Sequence, residues 1–191
     1  MYHDAIMAGF GGQGILMIGD ILALAGMIAG KHVTWMPAYG VEMRGGTANC
    51  TIVISDERVG SPITGTPYGC LVMNKPSLEK YESWVKPGGV LVANGAFIDK
   101  TDLSRNDIKT LLVPTADIAS DIGDPRVASM VALGAYIELC KAVTFDDIFT
   151  AMEQTFKGKK KKLVPINKQA LEQGRDFALI RPSSKGVTHE Y

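Results

Sequence analysis

The chain has 191 residues, of which 46% are hydrophobic, and this length and composition predict one domain, residues 1–191, with a buried core. Twenty Lys and Arg residues balance twenty Asp and Glu residues, so no net charge favours nucleic acid or an anionic membrane surface as a partner. Cys50, Cys70 and Cys140 are widely spaced in apolar stretches, which favours reduced thiols and a cytoplasmic location over a disulfide framework.

Short apolar runs bounded by turn residues alternate with longer segments along the first two thirds of the chain, which predicts alternating strands and helices. The second run stops at Pro37, so we expect a strand that ends there and a glycine-punctuated loop after it. Residues 15–29 are apolar but include Asp20 and are fewer than the ~20 that a membrane span needs, so we expect a buried helix. The predicted elements are strands at 5–8, 31–36, 48–55, 71–73, 90–93 and 110–113, helices at 13–29 and 77–85, and a loop at 38–46.

Helical composition dominates the C-terminal third, where the pattern predicts helices at 127–141, 145–156 and 167–179. Thr144 is a suitable N-cap for the second of these, and two aspartates follow in its first turn, where the helix dipole favours carboxylates. The alternation of strand and helix predicts a doubly wound, Rossmann-like α/β fold, with a mostly parallel sheet and helices on both faces.

The segment MAGFGGQGI contains Gly9-x-Gly11-x-x-Gly14 directly after the first predicted strand, the spacing of nucleotide-binding turns that open a helix. A dinucleotide site also needs an acidic residue about twenty residues further on, but residues 34–37 are Thr-Trp-Met-Pro. A phosphate-binding loop needs Lys and then Ser or Thr after the last glycine, where this chain has Ile15. Two interpretations of the glycines remain: close packing of the strand on the helix, or contact with an anion or a subunit. A stand-alone NAD-dependent oxidoreductase is a competing hypothesis for the function of the chain.

A second candidate lies in the loop before the third strand, where PAYGVEMRGGT carries Glu42 and Arg44 beside two glycines. If the strands are parallel, this loop lies at the same carboxyl edge of the sheet as the first glycine turn, and ligands of α/β sheets bind at that edge. One interpretation is a solvated loop in which Arg44 pairs with Glu42. The other is a recognition loop, in which the Arg44 guanidinium binds a carboxylate or phosphate and Glu42 orients it.

Several motifs, in their order along nearly the whole chain, resemble the gamma subunit of the thiamine-diphosphate-dependent 2-oxoacid:ferredoxin, or acceptor, oxidoreductases. The loop EMRGGTANC is more similar to the 2-oxoglutarate and branched-chain 2-oxoacid members than to the pyruvate members, and 2-oxoglutarate is the favoured substrate. The motifs are GFGGQGI near the start, YGVEMRGGTANCTIVISDERVGSP at 39–62, NKPSLEKYESWVKPGGVLVAN at 74–94, ASMVALGAY at 128–136 and INKQALEQG further on.

The resemblance implies a subunit of a complex that oxidatively decarboxylates a 2-oxoacid to its acyl-coenzyme A and passes electrons through iron–sulfur clusters to an acceptor. The chain lacks a Gly-Asp-Gly motif for thiamine diphosphate, and its three cysteines are too few for a four-iron cluster. The resemblance therefore assigns thiamine diphosphate, Mg²⁺ and the clusters to partner subunits, with coenzyme A as co-substrate. The expected partners are the alpha and beta subunits and, as a further candidate, a ferredoxin-like delta subunit.

No catalytic or metal-binding residue is assigned to this chain, and its three histidines are too dispersed for a metal site. A purely structural interaction subunit is an alternative of another class, and we expect the isolated chain to form a homodimer. The basic run 157–162 is interpreted as a solvated loop, with docking of an acidic partner surface or coenzyme A phosphates as the alternative. The expected contacts with an anion or a partner subunit are Gly9, Gly11, Gly12, Gln13, Gly14, Tyr39, Glu42, Arg44, Gly45, Gly46 and Thr47.

Overall fold

A computed structural model describes residues 1–40 and 46–181 as a six-stranded sheet with helices packed on it. Its strands are β1 (Tyr2–Phe10), β2 (His32–Tyr39), β3 (Thr47–Ser55), β4 (Gly69–Val72), β5 (Val90–Asn94) and β6 (Lys109–Val113). Its α-helices are α1 (Ile15–Ile28), α2 (Lys75–Tyr81), α3 (Thr115–Ile122), α4 (Ala128–Cys140), α5 (Phe145–Thr155) and α6 (Val164–Ile180). Short 3-10 turns lie at Glu82–Trp84, Lys100–Asp102, Pro125–Val127 and Gly158–Leu163.

The sheet has the strand order β2-β3-β1-β4-β5-β6. Strands β1, β4, β5 and β6 are parallel neighbours, whereas β3 is antiparallel to both β1 and β2. Among the described strands only β3 runs against the others, so the predicted mostly parallel α/β sheet is confirmed. The placement of the loop at 38–46 assumed parallel strands. This assumption is wrong there, because β2 and β3 form an antiparallel hairpin.

Alternate side chains of the central strands enter one of two hydrophobic cores, as the two-residue period of a strand requires. Ala5 and Met7 of β1 share one core with α1, α4, α5 and α6, while Ile6 and Ala8 share the other with α2. Helices therefore cover both faces, as the doubly wound prediction requires.

No helix within residues 1–40 and 46–181 is long and apolar enough to cross a membrane.

Strand β2 runs through Pro37 to Tyr39, so the prediction that it ends before the proline is wrong. The Gly40 N–H donates to the Thr47 carbonyl at 2.8 Å and continues the β2–β3 register. Only every second residue of an antiparallel strand bonds to a given partner, so Pro37 lies at a position whose N–H would point away from β3. Since β2 is an edge strand, the missing donor costs no sheet hydrogen bond, and the predicted loop at 38–46 is shorter than expected.

Most of the other predicted elements lie within a few residues of their observed bounds. Helix α2 begins two residues early because Asn74 Oδ1 accepts the Ser77 N–H at 2.9 Å and caps the helix. Helix α3 has no counterpart among the predicted elements, since its N-cap is Pro114 and no side chain caps it. The Thr144 cap is confirmed: the Asp147 N–H donates to Thr144 Oγ1 at 3.2 Å, and the Thr144 N–H donates to the Asp147 carboxylate at 3.1 Å.

Candidate ligand or subunit contact site

Three chain segments meet at the carboxyl edge of the sheet, beside the end of β1. The antiparallel pairing of β3 places Thr47, its first residue, opposite Phe10, the last residue of β1. It also places Tyr39, the last residue of β2, opposite Ala48. The glycine turn and the start of β3 are therefore neighbours, as the sequence predicted, but a hairpin rather than parallel strands brings them together.

A cavity of about 660 Å³ lies between the glycine turn, the first turn of α1 and the β2–β3 hairpin. Gly40 and Gly46, which flank the segment 41–45, both line it. Glu42, Arg44 and Gly45 fall in that segment, outside the described residues, so their contacts stay predictions. The cavity is lined by Phe10, Gly11, Gly12, Gly14, Ile15, Leu16, Met17, Tyr39, Gly40, Gly46, Thr47 and Ala48.

Gly12 and Gly14 shape the turn, since both have a positive φ, of 97° and 77°. At Gly14 a Cβ atom would lie 2.6 Å from Ser129 Oγ of α4, so the glycine also lets α1 approach α4 closely. At Gly12 no atom of the described residues lies within 4 Å of the Cβ position, so only the backbone conformation favours glycine there. Close packing thus accounts for Gly14, while Gly12 leaves the turn open to an approaching group.

Two backbone amides of the turn are engaged within the protein. The Gly11 N–H donates to the Gly46 carbonyl at 2.9 Å, and the Gln13 N–H donates to the Phe10 carbonyl at 3.1 Å. These two hydrogen bonds join the turn to the hairpin and to the end of β1. The Gly11 and Gln13 amides are therefore committed to structure rather than to a ligand.

The first turn of α1 supplies the donors that remain. The N–H groups of residues 15–17 have no intrahelical partner, as at any helix N-terminus. Within the described part of the chain, these amides and those of Gly12 and Gly14 make no backbone hydrogen bond. No acidic residue lies in this first turn, so the positive end of the helix dipole is not neutralised by a carboxylate of its own helix. An anion fits this environment.

Gln13 lies behind the turn rather than in the cavity lining, and its side chain makes three hydrogen bonds. Gln13 Oε1 accepts the Phe10 N–H at 2.7 Å and the Asn74 Nδ2 group at 3.1 Å. Gln13 Nε2 donates to the Met73 carbonyl at 3.2 Å. Gly9 packs against the same side chain, since a Cβ atom there would lie 2.6 Å from Gln13 Oε1. Gln13 and Gly9 therefore support the turn, and their contact with an anion or a partner subunit stays a prediction.

This contact is part of a buried, uncharged network that the sequence analysis missed. Asn94 Nδ2, at the end of β5, donates to the same Met73 carbonyl at 3.3 Å, and Thr115 Oγ1 donates to Asn94 Oδ1 at 2.7 Å. Asn74, Asn94 and Thr115 are all at least nine-tenths buried. The available signal was an asparagine at the end of two successive apolar strands. The network fixes the ends of β1, β4 and β5 and the start of α3 relative to one another.

The Cys50 thiol is buried and makes its hydrogen bond within the protein. Cys50 Sγ donates to the Ile15 carbonyl at 3.8 Å, and burial raises the pKa of Cys50 to about 12. Burial also raises the pKa of Cys70. Across residues 1–40 and 46–181, no three His, Cys, Asp or Glu side chains lie close enough together to hold a metal ion. That the cofactors belong to partner chains stays a prediction.

The described residues define an α/β domain whose glycine turn and hairpin border an anion-compatible cavity at the carboxyl edge of the sheet. A family model described as pyruvate ferredoxin/flavodoxin oxidoreductase matches residues 4–177. The chain belongs to this family, which confirms the resemblance of its motifs to the gamma subunits of 2-oxoacid:ferredoxin oxidoreductases.

Relatives of the chain have more than one named substrate. It is 40% identical over 173 residues to ketoisovalerate oxidoreductase subunit VorA of Methanothermobacter marburgensis, covering 90% of this chain and 36% of the relative. It thus spans about a third of the length of the ketoisovalerate relatives that it matches. It is 31% identical over 181 residues to 2-oxoglutarate synthase subunit KorC of Methanocaldococcus jannaschii, covering 93% of this chain and 95% of that one. The crystal structure of a keto/oxoacid ferredoxin oxidoreductase gamma subunit from Geobacter sulfurreducens is similar, with a TM-score of 0.80, 28% identity and coverage of 94% and 99%.

Proposed function

We propose that this chain acts as the gamma subunit of a 2-oxoacid:ferredoxin, or acceptor, oxidoreductase complex. The complex converts a 2-oxoacid, coenzyme A and two oxidised one-electron acceptors into acyl-coenzyme A, carbon dioxide, a proton and two reduced acceptors. Thiamine diphosphate with Mg²⁺ on the partner subunits supplies the decarboxylation chemistry when bound, and iron–sulfur clusters on partner subunits carry the electrons. Family membership over residues 4–177 supports this proposal.

The favoured substrate is 2-oxoglutarate. The loop EMRGGTANC favours 2-oxoglutarate or a branched-chain 2-oxoacid over pyruvate, and the relative that matches over nearly its full length is a 2-oxoglutarate synthase subunit. A branched-chain 2-oxoacid is the second candidate, because identity to the ketoisovalerate subunit is higher, 40% against 31%. Relative turnover of the two acids by one complex distinguishes them.

The proposed role of this chain is supported mainly by the cavity at the N-terminus of α1. The amides of residues 15–17, which make no backbone hydrogen bond among the described residues, carry partial positive charge, and the first turn holds no carboxylate. A phosphate of coenzyme A or a carboxylate of a partner subunit fits this environment. Arg44 belongs to the segment that joins Gly40 and Gly46 at the rim, and its guanidinium would bind the same anion with two parallel hydrogen bonds while Glu42 orients it.

Other residues that line the cavity offer both polar and apolar contacts to a ligand or a partner subunit. Gly12 has no side chain and leaves space for a ligand to approach the backbone. Tyr39 is 74% exposed at the rim, so its ring offers apolar surface that a ligand or a partner side chain covers on binding. The exposed Thr47 hydroxyl provides a neutral hydrogen-bonding group on the opposite side of the hairpin.

The competing NAD-dependent oxidoreductase has no support in this geometry. In a dinucleotide-binding fold the second strand lies beside the first, runs parallel to it and ends near an acidic residue. Here β3 separates β1 from β2, and β2 ends at Tyr39. We expect titration calorimetry of the purified chain with NAD to give no binding heat, and saturable binding would favour the competing function.

Purification of the tagged chain from its native source tests the proposal. We expect copurification of subunits that hold thiamine diphosphate and iron–sulfur clusters, and coenzyme A-dependent reduction of methyl viologen by 2-oxoglutarate. The isolated chain is expected to be folded, colourless, inactive and dimeric by light scattering. An iron–sulfur absorption band from the isolated chain, or turnover without partners, would contradict the proposal.

Hydrogen exchange separates a ligand-contacting subunit from a purely structural one. In the assembled complex, coenzyme A is expected to slow exchange of the backbone amides at residues 12–17. Unchanged exchange at these amides, in a complex that turns over with coenzyme A, would favour the purely structural role.

A further inference from the structure

Five lysines are concentrated in six residues, Lys157 and 159–162, of a chain whose twenty basic and twenty acidic residues balance overall. They occupy the 3-10 turn Gly158–Leu163 and the residue before it, and we name this segment the lysine turn. All five lysines are exposed, while Phe156 before the turn is buried and Leu163 at its end is half-buried. The fold therefore presents the lysines on an ordered, anchored turn rather than on a tail.

The position of the lysine turn is unfavourable for the stability of the fold. It directly precedes α6, whose N-terminus carries the positive end of the helix dipole and has no acidic residue in its first turn. Like charges this close also repel one another. Within residues 1–40 and 46–181, no carboxylate forms an ion pair with any of the five lysines. Stabilisation of the fold therefore does not explain the cluster.

The lysine turn lies beside the candidate cavity. Leu163 lines a small cavity of about 130 Å³ together with Met17 of α1, and Met17 also lines the larger cavity at the glycine turn. Arg126 lines the small cavity too, but its guanidinium is bound by Asp124 at 2.6 Å and adds no net charge. Among the described residues, the five lysines therefore add positive charge next to the small cavity that Arg126 does not.

We propose that the lysine turn is a docking surface for an acidic protein that associates reversibly with the complex. A small anion is a poorer fit, because none of the five lysines lines the neighbouring cavity and all are exposed. Lysine is a flexible, strongly hydrated point charge, unlike the rigid guanidinium that suits fixed bidentate contacts. Exposed charges of this kind raise the rate of encounter with an oppositely charged surface more than they prolong the complex.

An acidic ferredoxin is the probe for this surface, a choice that rests on the proposed function of the chain as an oxidoreductase subunit. The test compares native complexes that carry Lys160→Gln/Lys161→Gln or the matched control Lys100→Gln/Lys109→Gln. Both control lysines are exposed, without an ion pair in the described structure, and lie in or next to the segment between β5 and β6. Association of the ferredoxin with each immobilised complex is measured at several ionic strengths, and turnover is measured separately with methyl viologen.

We expect the lysine-turn variant to associate roughly tenfold more slowly at low ionic strength, with a weaker salt dependence, as steering by charge predicts. The control variant and methyl viologen turnover are expected to remain at wild-type values. Equal association rates for wild type and the lysine-turn variant, an equal loss in the control, or preferential binding of a DNA duplex in place of ferredoxin would overturn the docking surface. A complex that binds ferredoxin through these lysines but oxidises no 2-oxoacid would overturn only the proposed function.

Discussion

The two edges of the sheet are built from different chemistry. At the amino edge, His3 Nε2 lies 2.9 Å from Tyr136 Oη, and Asp4 accepts hydrogen bonds from Thr64 Oγ1 at 2.5 Å and from the Tyr68 N–H at 2.8 Å. At the carboxyl edge the buried network consists of neutral amides and a hydroxyl, and the donors of the first turn of α1 face a cavity. At the amino edge, buried titratable groups have hydrogen-bond partners, whereas at the carboxyl edge the amides of residues 15–17 make no backbone hydrogen bond among the described residues. Changes at the amino edge should therefore affect stability, and changes at the carboxyl edge should affect activity.

The largest effect is expected at the amino edge, on acidification. Burial lowers the pKa of His3 to about 4, against an opposing effect of Asp4 and with a smaller lowering effect of Lys86, whereas the unfolded chain has a value near 6.5. Between these values the unfolded chain binds a proton that the folded chain does not. The free energy of unfolding therefore falls as the pH decreases from 6.5, by about 3 kcal/mol at pH 4.

Urea unfolding of wild type and His3→Gln across this pH range measures the effect. His3→Gln is expected to be less dependent on pH, since the glutamine does not titrate, while the exposed-site control His32→Gln keeps the wild-type dependence. Identical pH dependence in wild type and His3→Gln would show that other groups govern stability in acid.

Arg44 provides the corresponding change at the carboxyl edge. Arg44→Ala removes a charge-assisted contact of about 1.5–3 kcal/mol, so coenzyme A use or subunit affinity should weaken roughly ten- to a hundredfold. Arg44→Lys should recover part of the loss, because lysine cannot form the two parallel hydrogen bonds. Stability of the isolated chain should change by no more than about 0.5 kcal/mol.

Reconstituted complexes report subunit affinity and the coenzyme A dependence of turnover for each Arg44 variant, and thermal unfolding of the isolated chain is the control. If Arg44→Ala unfolds the chain while activity per folded subunit stays at wild type, Arg44 is structural and the recognition loop is wrong.

Substitution of Gln13 tests whether its side chain positions the glycine turn for binding. Gln13→Ala removes the side-chain acceptor of the Phe10 N–H and of the Asn74 amide, while the Met73 carbonyl keeps its second donor, Asn94. The free energy of unfolding should fall by about 2 kcal/mol. The glycine turn loses its support as well, so the complex should need a higher coenzyme A concentration for half-maximal turnover. Gln13→Glu keeps the two accepting interactions but not the donor to Met73, and is expected to be intermediate. Unfolding and activity that both match wild type would show that this side chain does not position the turn.

The smallest effect is expected from an exposed ion pair at the amino edge. The Asp56 carboxylate accepts a hydrogen bond from Lys31 at 2.5 Å and contacts the N-terminal amine, and the bond from Lys31 lowers its pKa to about 2. Water and salt screen such pairs, so Asp56→Asn should leave the unfolding transition at neutral pH unchanged. A loss comparable with that of His3 protonation would show that exposed charges, rather than the buried cluster, stabilise this edge.

The fold could be predicted from sequence where local composition decides the structure. The capped start of α5 at Thr144 and the apolar runs of β5 and β6 are examples. The extension of β2 through Pro37 could not, because only the position of the strand at the sheet edge makes the missing donor harmless. The direction of β3 relative to β2 follows from their short connection, which is too short for a parallel crossover, whereas its place between β1 and β2 depends on pairing with a distant segment.

The candidate site divides in the same way. The turn at Gly12 and Gly14 follows from residue type and spacing, and the structure gives both the positive φ that favours glycine. The role of Gln13 was not predictable, because its partners at Met73 and Asn74 are sixty residues away in sequence and meet it only through the order of the strands.

The hydrogen bond from the Gly11 N–H to the Gly46 carbonyl joins the two halves of the candidate site. Gly46 directly follows segment 41–45, and a partner that displaces its carbonyl also displaces the turn that carries the amide donors. Binding at the hairpin and binding at the N-terminus of α1 are then thermodynamically linked, and linkage is reciprocal. If a partner subunit changes the affinity for an anion by some factor, the anion changes the affinity for that subunit by the same factor. Under the proposed function, this one backbone contact couples subunit assembly to ligand binding.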